Sequence, residues 1–161
     1  MLRAGILTVS DRSSQGLRDD EAGPLLAETV RSHGMTVACT AVVPDEAIEI
    51  QEILVLWADD DRADLILTTG GTGLSPRDVT PEATVTVVDR LVPGMSEAMR
   101  SASMLKTPHA MISRAVAGVR GNALIINLPG SPKGAVENLE AVLPAVEHAI
   151  AKIQGDPSDC A

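Results

Sequence analysis

Three short apolar runs constrain this chain more than any other feature: residues 4–9, Leu65–Thr69 and Ala123–Leu128. Each has the length and residue types of a buried strand and is too short for a globular helix. Each also runs straight into a turn that leads to a helix start. Residues 3–10 (RAGILTVS) end in the polar stretch SDRSSQGLRDD, after which Asp20 or Glu21 opens a helix with Pro24 in its first turn and Gly34 at its end. The middle run passes into Gly70-Gly71-Thr72-Gly73, a backbone able to take positive φ and to approach a ligand closely. Thr80 is then the predicted N-cap, with Pro81 at the first helical position. The last run enters Pro129-Gly130-Ser131-Pro132, where Ser131 caps and Pro132 begins the final helix.

The remaining elements fit between these. Residues 35–43 are β-rich and read as a strand ending in Pro44-Asp45-Glu46, where Asp45 is placed to cap the next helix. Ala47, Ile50, Leu54, Trp57 and Ala58 give that helix its apolar face. The helix from Pro81 is predicted to reach Asp89, with Leu91-Val92-Pro93-Gly94 as its break, and Met95, Ala98, Met99, Ala102 and Leu105 mark a further helix. Residues 107–121 mix extended and turn signals and support no assignment. In the final helix Val136, Leu139, Leu143, Val146, Ile150 and Ile153 recur at helical spacing, and Pro144 is expected to kink or split it. Strands alternating with helices indicate an α/β domain with a mainly parallel sheet covered on both faces, over residues 1–154, with a short flexible tail at 155–161. Ligands of such sheets bind beyond the carboxyl ends of the strands. That rule gathers Ser10-Asp11-Arg12, Asp45, the segment 70–78 and the segment 129–133 around one crevice.

Composition narrows the possible ligands. Trp57 is the only aromatic residue, so base-stacking platforms for nucleic acid are excluded. A net charge of −9 repels phosphodiester backbones and anionic membranes, and an anionic ligand would need glycine-loop amides, local cations or a divalent metal. Cys39 and Cys160 form no C-x-x-C pair, and His33, His109 and His148 lack zinc-site spacing. No segment has the character of a signal peptide or the length of a membrane span, so the expected location is cytoplasmic.

The motif tests remove several chemistries. There is no Walker A motif and no G-x-S-x-G elbow, and Pro76 stands where a dinucleotide fingerprint needs its third glycine. What remains suits phosphoryl or nucleotidyl transfer, which depends on positioning and charge neutralisation more than on a protein nucleophile. Two glycine loops offer N–H groups. Asp45 and Asp78 offer oxygen ligands for Mg²⁺, and Arg12, Arg77, Arg114 and Lys133 can offset negative charge. Plainer readings stand beside these: Asp45 as a helix cap, Asp78 as a loop residue bonding its own backbone, 70–73 as a tight turn, and Arg77 paired with its neighbour Asp78.

Five ordered blocks, TTGGTG, PRDVTPEAT, VPGMSEAMR, ISRAVAGVRG and LIINLPGSPKGAVENL, resemble the molybdenum-cofactor biosynthesis proteins of the MogA/MoaB type. SDRSSQGLRDDEAGPLL and NLPGSPKG look closer to the MogA branch. The resemblance implies a three-layer α/β/α fold, usually a trimer. It implies a molybdopterin adenylyltransferase that uses Mg·ATP, releases diphosphate and hands its product to a molybdate-insertion enzyme. It assigns Asp45 and Asp78 to catalysis and Mg·ATP handling. Ser10, Asp11, Gly70, Gly71, Thr72, Gly73, Ser113, Asn127, Pro129, Gly130, Ser131 and Lys133 are assigned to substrate binding. The alternatives are a non-catalytic, MoaB-like molybdopterin-binding or scaffolding relative and an unrelated nucleotide hydrolase.

Overall fold

In the computed structural model, which describes residues 1–159, the strands form one six-stranded sheet in the order β2-β1-β3-β6-β5-β4. The strands are β1 (Arg3–Val9), β2 (Thr36–Val43), β3 (Leu65–Thr69), β4 (Arg90–Leu91), β5 (Ala117–Arg120) and β6 (Ala123–Leu128). The helices are α1 (Asp11–Ser14), α2 (Ala22–Ser32), α3 (Ala47–Asp59), α4 (Thr80–Val87), α5 (Pro93–Met104) and α6 (Pro132–Ile153), with a 3-10 helix at Pro108–Ile112. β2, β1, β3 and β6 run parallel; β5 pairs antiparallel with β6, and β4 antiparallel with β5.

The two faces of the sheet carry separate cores. Ile6, Leu67, Leu124 and Ile126 meet Leu26 and Val30 of α2, Met99 of α5, and Leu139 and Val146 of α6. Leu7, Ile66 and Ile125 meet Ile50, Leu54 and Trp57 of α3 and Val87 of α4. This is the three-layer α/β/α arrangement. β3 and β6 are buried along their whole length, which is why their sequences are continuous apolar runs rather than alternations.

Several local expectations are corrected. The polar stretch after β1 is not wholly a turn, because Ser10 accepts the N–H of Ser13 and caps the one-turn α1. The unassigned stretch 107–121 supplies the 3-10 helix and β5, while β4 overlaps the predicted break at Leu91 and the Pro93-Gly94 of that break opens α5. α6 is uninterrupted despite Pro144. Pro144 lies on the exposed side of α6, where water can take the carbonyl bond that its missing N–H leaves open. Cys160 lies outside the described residues; Cys39 is a free, half-buried thiol, and burial pushes its pKa up. No described helix is long and apolar enough to cross a membrane.

Candidate functional site

Four parallel strands end on the same edge, and their exit turns are tied together there. The Ser10 N–H donates to the Val43 carbonyl at 2.9 Å, joining the ends of β1 and β2. The Gly70 N–H donates to the Leu128 carbonyl at 3.2 Å and Thr69 Oγ1 to the Pro129 carbonyl at 2.7 Å, joining β3 to β6. The two glycine loops touch: a Cβ on Gly130 would lie 3.3 Å from Gly70 Cα.

The first loop owes its shape to positive φ at Gly70 (105°) and Gly71 (66°). Thr80, the predicted helix cap, caps nothing; helix α4 begins at Thr80 and its buried Oγ1 donates to the Gly70 carbonyl at 2.9 Å. Arg114 clamps the other end of the loop, donating to the Gly73 and Asp78 carbonyls, each at 2.7 Å, and pairing with Glu82. Its charge is therefore used to hold loop backbone rather than left free for a ligand. The N–H groups of Gly71, Thr72 and Gly73 donate to no acceptor among the described residues.

Asp45 caps no helix either. The N-cap of α3 is Glu46, without a side-chain bond. Asp45 instead exchanges hydrogen bonds with Asp11: the Asp11 N–H donates to Asp45 Oδ2 at 2.8 Å, and the Asp45 N–H to Asp11 Oδ1 at 3.0 Å. Arg77 does not pair with its neighbour Asp78. It grips both oxygens of Asp11, at 3.0 and 2.9 Å, and reaches Glu46 at 2.8 Å. That guanidinium holds the Asp11 carboxyl below its usual range. Asp45 is pushed the other way, first by burial and then by the negative charges of Asp11 and Asp78. Asp78 accepts the Ser75 N–H at 2.9 Å, and its Oδ2 lies where a Cβ on Gly73 would come within 2.9 Å.

Asp45 and Asp78 face one cavity of about 370 Å³, whose wall also includes Ser10, Gly70, Gly71, Gly130 and Ser131. Sequence reasoning did not place Arg18, Asp19, Asp20 and Glu21 there. Asp20 accepts the Gly23 N–H at 2.9 Å and the Thr8 hydroxyl at 2.7 Å, so its signal was that of the helix start it makes. With five carboxylates and one arginine on its wall (Asp19, Asp20, Glu21, Asp45 and Asp78 against Arg18), this cavity suits a cation and its phosphate escort rather than a bare anion. Among the described residues no three His, Cys, Asp or Glu side chains form a ready metal cage. Two carboxylates nevertheless fit Mg²⁺, which keeps water and phosphate oxygens for the rest of its shell.

A second cavity, of about 270 Å³, opens on the other side of the shared Ser131. Thr72, Gly73, Ser113 and Pro129 line it, together with Arg100, Lys106 and Glu137. Arg100 holds the Ser113 and Ala115 carbonyls and Lys106 pairs with Glu137 at 2.9 Å, so this wall, with two cations to one carboxylate, is the less acidic of the two and the more basic by comparison. Three assigned residues fall outside both walls. Asn127 is fully buried in β6, donates to Thr68 and Thr84 at 3.0 and 2.9 Å and accepts the Val116 N–H, so it braces the sheet beneath the site. The Lys133 side chain is 87% exposed and lies 3.9 Å from Glu137. Asp11 acts on the wall through Asp45.

A mainly parallel α/β sheet with two glycine loops, two aspartates and loop amides free of protein acceptors around cavities at its carboxyl edge is the frame of a ligand-binding domain of the α/β class. Residues 5–148 match the family described as "Probable molybdopterin binding domain", and the chain belongs to that family. It is 45% identical over 163 residues to gephyrin of Dictyostelium discoideum, an alignment covering 95% of this chain but 23% of that protein's length. It is 40% identical over 157 residues to the molybdopterin adenylyltransferase of Helicobacter pylori 26695, covering 96% of this chain and 89% of that one. The crystal structure of the molybdopterin biosynthesis enzyme MoaB from Thermus thermophilus superposes with a TM-score of 0.91 at 53% identity, covering 99% of this chain and 100% of that one.

Proposed function

We propose that this chain is a molybdopterin adenylyltransferase. The observation that carries the reading is the convergence of Asp45 and Asp78 on one cavity between two touching glycine loops. The terminal phosphate oxygen of molybdopterin attacks the α-phosphorus of ATP. A new P–O bond forms, the α–β bridging bond breaks, and diphosphate leaves with the electron pair. Both reacting groups belong to the substrates, which accounts for a site without a protein nucleophile.

The residues divide this work by position. The amides of Gly71, Thr72, Gly73 and Ser131 offer N–H donors to phosphate oxygens, and the start of α6 adds positive dipole. Asp45 and Asp78 would hold Mg²⁺, which supplies charge neutralisation on the polyphosphate. Arg77, through Asp11, keeps Asp45 turned to the cavity. The more basic cavity takes the pterin, and the shared Ser131 wall lets two substrates meet.

Protein mixed with Mg·ATP should release diphosphate only when molybdopterin is added. Release without the pterin would instead indicate a nucleotide hydrolase. A non-catalytic carrier would be stabilised in a thermal-shift titration by the pterin alone, whereas the transferase is stabilised by Mg·ATP as well. The same reading takes residues 1–154 as the catalytic domain and 155–161 as a tail. It carries a homotrimer, testable by sedimentation, and a cytoplasmic hand-over of product to a molybdate-insertion enzyme. The similar Thermus structure bears the name MoaB, the branch of the non-catalytic alternative, and the thermal-shift titration separates the two readings.

A further inference from the structure

The second cavity contains a polar pair that nothing in the transfer chemistry uses. Asn138, on α6, is only 8% exposed, and its remaining surface lies on the wall of that cavity. Its Nδ2 donates to the Gly134 carbonyl at 2.8 Å and to Ser103 Oγ at 2.9 Å. A backbone carbonyl can only accept, so the bond to Gly134 fixes which way the carboxamide faces. Asn138 Oδ1 is then left without a donor among the described residues. The Ser103 hydroxyl accepts from Asn138, and its own proton has no acceptor among the described residues, although many serines and threonines on helices bond the preceding turn. Both residues line the cavity. An oriented acceptor on a buried amide, beside the donor of the half-buried Ser103, is a poor arrangement for an empty protein, because an open hydrogen-bonding position on a buried amide is unfavourable. It complements a ring edge that carries an N–H next to a C=O.

Resting on the adenylyltransferase reading, we infer that Asn138 and Ser103 recognise the pyrimidinone edge of the pterin. Asn138 Oδ1 accepts a ring N–H and the Ser103 hydroxyl donates to the adjacent ring carbonyl. They set specificity and do not touch the reacting phosphates. A site built around such a pair discriminates, since an analogue without the matching edge leaves the buried Asn138 oxygen unpaired.

The test uses Asn138→Leu, Ser103→Ala and Ser103→Thr in the full chain, with KM for molybdopterin, KM for Mg·ATP and kcat measured for each. Asn138→Leu should raise the molybdopterin KM about a hundredfold and Ser103→Ala about tenfold. Both should leave the Mg·ATP KM and the kcat at saturating pterin within a few-fold of wild type, and Ser103→Thr should restore the pterin KM. A purely structural role would instead lower Tm and raise both KM values together, and that result would overturn the inference. Should Asn138→Leu not fold, the alanine and threonine pair decides alone. Unchanged pterin KM in Ser103→Ala, with wild-type transfer intact, refutes this recognition while sparing the enzyme assignment. Absence of transfer by the wild-type protein refutes both.

Discussion

The sharpest consequence of the loop geometry is that two neighbouring glycines should fail in different ways when replaced by alanine. A Cβ at Gly73 would stand 2.9 Å from Asp78 Oδ2 and meet only that carboxyl group, and Gly73 has no positive φ. The carboxylate must give way by about half an ångström or more to reach ordinary contact, bending its bond to the Ser75 N–H. Loss of that exposed bond costs about 1 kcal/mol at most, offset by about 0.4–1 kcal/mol from a less flexible unfolded chain. Gly73→Ala should therefore shift Tm by no more than about 3 °C. Transfer should still fall about a hundredfold, because a misplaced positioning group affects rate far more than stability. Gly71→Ala is the converse. Its φ is 66° and its Cβ would lie 2.3 Å from the buried Thr80 Oγ1. Left-handed backbone contributes about 1–2 kcal/mol and overpacking about 1–3 kcal/mol, so Tm should fall roughly 5–15 °C. Thermal denaturation and diphosphate release, measured side by side, check both variants. Gly73→Ala with wild-type turnover, or Gly71→Ala with wild-type Tm, would refute the claim that this loop is shaped around the two carboxylates.

Other predictions are shorter. Asp45→Asn should abolish transfer and yet, in metal-free buffer near neutral pH, leave Tm unchanged or raise stability by up to about 1 kcal/mol, because it removes a half-buried charge facing Asp11 and Asp78; calorimetry with EDTA reads this directly. Asp64 takes bonds from the Arg3 backbone and guanidinium and from Gln154, and the Arg3 guanidinium first, with its backbone N–H and Gln154, holds its carboxyl below the usual range. A depressed carboxyl adds stability above its ordinary pKa, about 4, and loses it as pH falls through the lower folded value. Asp64→Asn should thus cost about 1–2 kcal/mol at pH 7, Arg3 being partly solvated, and progressively less below pH 4 in urea titrations.

The fold was largely legible because the central strands are unambiguous. Leu65–Thr69 and Ala123–Leu128 are buried on both faces, so no periodicity had to be judged. The carboxyl-edge rule then gathered Ser10, Asp45, Gly70 and Gly130, which all follow parallel strands, around one cavity. What failed was the assignment of short polar side chains to local roles. Asp45 and Thr80 occupy sequence positions typical of helix caps, but their partners, Asp11 and Gly70, are 34 and 10 residues away. Arg114 and Arg77 look like ligand-binding charges and are engaged within the protein. Asn127 sits in a functional-looking block, but strand alternation directs it into the interior, against Thr68 and Thr84. Asn138 was hidden for the opposite reason, because one amide on an amphipathic helix reads as a boundary residue until the neighbouring helix is placed.

The account turns on whether Asp45 and Asp78 share a divalent cation at the mouth of the glycine loops. Crystals of the protein grown with Mn²⁺ and a non-hydrolysable ATP analogue, measured at a wavelength where manganese scatters anomalously, answer this in one experiment. The expected map has one anomalous peak about 2.1 Å from a carboxylate oxygen of each aspartate and from nucleotide phosphate oxygens. A nucleotide bound with its metal away from both aspartates would contradict it.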